Sequence, residues 1–101
     1  MAKHFNITGE LTQELLAAGS NVTISKISLT NIHATTMCIV DLYIEKSLIG
    51  KFYLLKGVEL PIGTTLIHDE IAFSNSAGEF GLYIKLNKSA AETPAVDVIL
   101  Q

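Results

Sequence analysis

Apolar and polar residues alternate along much of this chain, and an alternation of period two marks a strand whose two faces meet different surroundings. In CIVDLYIEK, Cys38, Val40, Leu42 and Ile44 fall on one face, and Asp41, Tyr43 and Glu45 on the other. EFGLYIKLN repeats the pattern, with Phe80, Leu82, Ile84 and Leu86 opposite Gly81, Tyr83, Lys85 and Asn87. Near the C-terminus, Val96, Val98 and Leu100 oppose Asp97 and Gln101. One apolar and one polar face per strand predicts antiparallel sheets packed on a shared core.

Other segments are less regular. In NVTISKISLTNI, Val22 and Ile24 share one phase while Ile27 and Leu29 share the other, which predicts a β-bulge near Ser25-Lys26. KFYLLKGVEL is apolar on both sides around Phe52 to Leu55, the pattern of a central or covered strand, and Gly57 marks a second bulge or bend. LTQELLAAGSN is ambiguous. Leu11, Leu15 and Ala18 have helical spacing with Gly19 as a cap, whereas the surrounding β pattern favours an extended segment, which is the reading adopted. Ser, Asn and Gly clusters at 19–21, 74–78 and 87–91 supply turns at the short spacing of a sandwich or barrel. With KHFNIT and TTLIH the count reaches about eight strands. The expected fold is all-β, a single antiparallel β-sandwich, jelly-roll or immunoglobulin-like.

A length of 101 residues implies one domain, 1–101, with residues 1–20 as a candidate N-terminal arm. Hydrophobic residues make up 49% and charged ones 17%, a globular composition. All seven basic residues are lysines, and the net charge is −3. Without arginine's planar fork or a basic cluster, nucleic acid is not an expected partner. MAKHFNITGE has no apolar signal core, and no run reaches the roughly 18 apolar residues of a membrane helix. The expectation is synthesis in a cytoplasm, with no membrane partner. Cys38, the only cysteine, excludes an internal disulfide and sits in an apolar run as a core thiol.

The sharpest candidate chemistry is LPIGTTLIHDE, residues 60–70, where a Pro-x-Gly turn precedes His68, Asp69 and Glu70. Cupins are small metal-binding jelly rolls that place a histidine shortly after such a turn. Here His68 follows Gly63 by five residues rather than three, and the paired histidines of the first cupin motif are absent; His4 and His33 stand apart. As an acid/base dyad the carboxylates fare no better, because consecutive strand residues point to opposite faces. The reading is a polar turn between two strands. Tyr43, Tyr53 and Tyr83 form a sugar-stacking platform if they share an exposed face; cross-strand or subunit contacts are the plainer role. No nucleophile elbow or phosphate loop occurs. The expectation is a non-enzyme with no catalytic, cofactor-binding or metal residues.

Several segments in order carry a resemblance. Ile27-Ser-Leu-Thr-Asn31 ends a strand in Leu-x-Asn; a turn through His33-Ala-Thr-Thr36 leads to the alternating strand Cys38 to Glu45. An aromatic-aliphatic strand then runs into Val58-Glu-Leu-Pro-Ile-Gly-Thr-Thr-Leu66, and a valine-alternating strand closes the chain from Ala95 to Leu100. Over residues 22–100 the pattern resembles small β-sandwich structural proteins in virions of tailed bacteriophages, marine and cyanophage types among them. The resemblance implies a virion location after synthesis in a bacterial host, self-association into a homo-oligomer, and binding to a major capsid or neck/tail protein. It further implies a decoration (cement) role on the capsid, with a neck or tail component as the second choice. A carbohydrate- or receptor-binding module is the alternative outside that class.

Overall fold

The computed structural model describes residues 3–9, 12–34, 36–46, 48–69, 73–75, 80–88 and 94–101. Among these are ten strands and no helix: β1 (Lys3–Thr8), β2 (Thr12–Leu16), β3 (Val22–Ile24), β4 (Ile27–Asn31), β5 (Cys38–Lys46), β6 (Gly50–Leu60), β7 (Thr65–His68), β8 (Phe73–Asn75), β9 (Gly81–Lys88) and β10 (Ala95–Leu100). One four-stranded sheet has the order β1-β10-β4-β7, the other β2-β9-β5-β6, and β3 pairs with β8 beside them. Every pairing is antiparallel.

The pairings nest. β5 pairs with β6, β4 with β7, β3 with β8, β2 with β9 and β1 with β10, as in one long hairpin. Two further pairings, β4 with β10 and β5 with β9, roll that hairpin into two sheets. This is a jelly roll; of the two sandwich types the alternation left open, the nesting selects this one.

The alternating residues meet between the sheets. Leu82, Ile84 and Leu86 of β9, Cys38, Val40 and Leu42 of β5, Val96, Val98 and Leu100 of β10, and Ile27 and Leu29 of β4 are all buried. Each such aliphatic side chain contributes roughly 1.5–3 kcal/mol on leaving water. Ile7, Leu15 and Leu16 join the same core. The arm expected at residues 1–20 is therefore corrected for its described part: β1 and β2 are integral edge strands, one in each sheet. Interleaved apolar residues outweigh terminal position here, because those side chains find core to bury in.

Further local expectations meet the structure. Thr12 to Leu16 is extended, as adopted; a register shift between Glu14 and Leu16 accompanies the burial of the consecutive Leu15 and Leu16, whereas Ala18, at helical spacing from Leu15, is exposed. Leu11 lies outside the described residues. The phase change at Ser25-Lys26 is not a bulge but a passage between sheets, since β3 pairs with β8 and β4 with β10 and β7. It is anchored on the last residue: Ser25 N and Lys26 N donate to Gln101 O at 2.8 and 3.1 Å, and Gln101 N returns a bond to Lys26 O at 2.9 Å.

β6 is the main correction. It lies at the edge of its sheet rather than at the centre, with Phe52 51% and Tyr53 44% exposed. Register shifts against β5 on either side of Leu42 re-aim its side chains, so apolarity on both sides reflects a twice-bulged edge rather than burial. Gly57 does mark an irregularity, with φ +64°.

Candidate functional site

The three tyrosines come together. Tyr83 pairs with Tyr43, and Tyr43 with Tyr53, so one row of rings crosses β9, β5 and β6 on the outer face of their sheet. Tyr43 and Tyr83 stack at 5.6 Å and 15°, while Tyr43 and Tyr53 tilt at 5.3 Å and 51°. The Lys51 ammonium lies 5.0 Å from the Tyr43 ring centroid, and that of Lys56 lies 4.6 Å from Tyr53. Tyr43 is consequently only 3% exposed. A sugar platform needs open ring faces, and here the central ring has none: its faces are spent on neighbouring rings and a lysine. The row is a cross-strand ladder that rigidifies the face.

Its ends are held. Tyr83 OH donates to Glu14 Oε2 at 3.2 Å. Burial, the Glu14 charge and its hydrogen bond, then Glu45 and Tyr43, all push the Tyr83 hydroxyl above the ordinary tyrosine pKa. Gly81 makes the geometry possible, because a Cβ there would stand 3.0 Å from Leu16 O and 3.0 Å from the Tyr83 ring. Asp41, also buried, accepts from Gly57 N at 2.7 Å and pairs with Lys56 at 3.6 Å, which pins the β6 bulge.

Sequence reading missed the most constrained polar residue, Asn31, 1% exposed at the end of β4. Its Nδ2 donates to Leu60 O at 2.8 Å and Thr36 O at 3.2 Å, and its Oδ1 accepts from His33 N at 2.9 Å. Asn31 N donates to Thr64 O, and Asn31 O accepts from Gly63 N. Thr36 N donates to His33 Nδ1 at 3.1 Å. One amide thus clasps the end of β4, the 32–37 loop and the Pro61–Thr64 corner, where Gly63 sits at φ +70°. The signal in the sequence was an asparagine in phase with Ile27 and Leu29.

That clasp gives LPIGTTLIHDE its place. Leu60 ends β6, Pro61 to Thr64 turn the corner, and Thr65 to His68 form β7. His68 ends β7 half-buried, Asp69 is exposed, and Glu70 lies outside the described residues. His4 on β1 and His33 after β4 lie on other elements. Among the described residues no three of His, Cys, Asp and Glu gather as metal ligands would. Cys38 is buried, and burial pushes its thiol pKa up, the opposite of an activated nucleophile.

The opposite outer face carries polar cross-strand pairs beside the exposed Ile67. Asn6 Nδ2 donates to Asp97 Oδ1 at 2.6 Å, and the Thr30 and Thr65 hydroxyls share a bond of 2.9 Å. A hollow of about 430 Å³ runs along β1 and β10 beside His4, Asn6 and Asp97, with its main polar groups joined to each other. No protein-family model matches this chain, and no curated protein matches it.

Proposed function

We propose that this chain is a non-enzymatic structural protein of a tailed-bacteriophage virion, a capsid decoration protein that strengthens the shell by associating with its own copies and with the capsid protein. The observation that carries the reading is where its exposed apolar residues lie. Of seven large hydrophobic side chains exposed among the described residues, five fall between positions 48 and 62: Leu48, Ile49, Phe52, Tyr53 and Ile62. They follow β6 and its two ends, while the core stays closed. Apolar residues gathered along one edge suit a surface that another protein covers.

The order of segments from Ile27 to Leu100, with its likeness to small virion sandwich proteins, supplies the partner class. Rigidity comes from the jelly roll and its tyrosine ladder; contacts come from the β6 edge and the corners. A standard interface takes about 800 Å² from each partner, an area a domain of this size offers more than once. Mass spectrometry of purified particles tests the proposal. The chain should be found at a copy number tied to capsid symmetry; a copy number matching a single neck or tail ring moves it there, and absence from particles overturns the reading.

A further inference from the structure

The free edge of β6 carries a self-complementary pattern. β6 is eleven residues long and, among the described strands, β5 is its one ladder partner, so its other edge offers backbone groups that no strand pairs. Such an edge is a template for another strand. We infer that β6 pairs antiparallel with β6 of a second copy of this chain, with Leu55 on the two-fold axis, giving a dimer whose sheet runs through eight strands. The inference rests on the self-association in the proposed function and gives it a surface.

In that register Lys51 stands opposite Glu59 of the second copy, Phe52 opposite Val58, and Tyr53 opposite Gly57, each contact occurring twice. The faces agree. Lys51, Tyr53 and Glu59 pair within the chain with Glu45, Tyr43 and Ile39, all in one phase of β5, whose pairing with β9 runs without interruption. Residues 51 and 59 therefore turn the same backbone groups outward, as antiparallel partners must. The bulges flank the axis, and the regular stretches 50–53 and 58–60 meet each other.

Neighbouring registers fail. With Lys56 on the axis, two ammonium groups face each other, and like charges directly opposite destabilise a sheet. With Leu54 on the axis, Glu59 meets Ile49 and Lys51 loses its carboxylate. The chosen register also carries the hairpin tip onto the partner's corner: Leu48 and Ile49 reach Ile62 and Pro61 of the second copy. Leu48 is fully exposed at φ +69°, a backbone state normally left to Gly or Asn. An apolar side chain held there fits a contact made outside the chain.

Sedimentation of the isolated full-length protein tests this. The wild type should be a dimer at tens of micromolar. K51E and E59K should each weaken dimerisation roughly ten- to a hundredfold, and the double variant K51E/E59K should restore it to near wild type. E59K guards against misfolding, because Glu59 lies opposite Ile39 within its own sheet, whereas K51E meets Glu45. The double variant K51C/E59C should form covalent dimers on mild oxidation while neither single variant does. Residues 51 and 59 lie opposite Glu45 and Ile39 of β5, so about 20 Å of strand separates the two cysteines, too far for an internal bridge. A monomeric wild type, or a dimer that neither reversal moves, overturns the inference. The dimer is read on isolated protein and the virion role on purified particles. Charge-swap rescue with no chain in particles keeps the dimer and removes the role, whereas particles carrying a monomeric chain do the reverse.

Discussion

The two ends of β6 treat polarity in opposite ways. At Leu60 a polar side chain from β4, Asn31, is buried, and each of its bonding groups has a partner. At Gly50 the chain exposes apolar side chains, Leu48, Ile49 and Phe52. A buried amide costs stability unless it is bonded, and bonded it ties three segments together. An exposed leucine at positive φ adds nothing to the fold. The first end serves the fold, and the proposed contact between copies uses the second.

The largest test of that contrast is Asn31→Asp. The side chain keeps its shape but turns a carboxylate toward the carbonyls of Leu60 and Thr36, leaving both without their donor. A loss of about 3–5 kcal/mol is expected, seen as a fall of more than 10 °C in the melting temperature. A near-silent substitution would mean the clasp does not hold the corner.

The tyrosine ladder between the two ends gives the next test. Gly81→Ala should push Tyr83 from its place over Gly81 and cost about 1–2 kcal/mol in denaturant unfolding. Little change would place Tyr83 outside the rigid part of the face.

At the exposed end the sign should reverse. Leu48→Asn relieves the left-handed backbone and should leave the fold unchanged or raise stability by up to about 1 kcal/mol, while weakening self-association. A destabilised monomer would assign Leu48 to the fold. The smallest effect is a titration. Because the folded Tyr83 pKa is raised, its contribution is intact below the unfolded value near 10 and is lost as pH rises through the folded value. A site-specific NMR titration should find the Tyr83 hydroxyl losing its proton above the ordinary tyrosine range, and Glu14→Gln should lower that midpoint. A Tyr83 midpoint that Glu14→Gln leaves unmoved would contradict that coupling.

The strands with strict alternation were legible because one face of each meets core and the other does not. Val96, Val98 and Leu100 needed no neighbour to be recognised. β6 misled for the same reason: apolarity on both sides signals burial only where the strand is regular, and here two register shifts turn its side chains. The ladder was half legible, since phase put Tyr43 and Tyr83 on outer faces, but only pairing set Tyr53 beside them. Asn31 read as the end of a strand, and its clasp joins nearby Thr36 to Leu60, 29 positions away along the chain.

By itself the sequence determined the all-β class, the inward sides of β4, β5, β9 and β10, and the corner at Pro61 to Gly63, because these depend on period and backbone allowance within a few residues. Only the tertiary structure decided the nested jelly-roll order, the integration of β1 and β2, the edge position of β6 and the clasp at Asn31. Each of those is a choice of partner among distant strands of similar pattern. That choice is settled by which arrangement closes one core and satisfies its buried polar groups together.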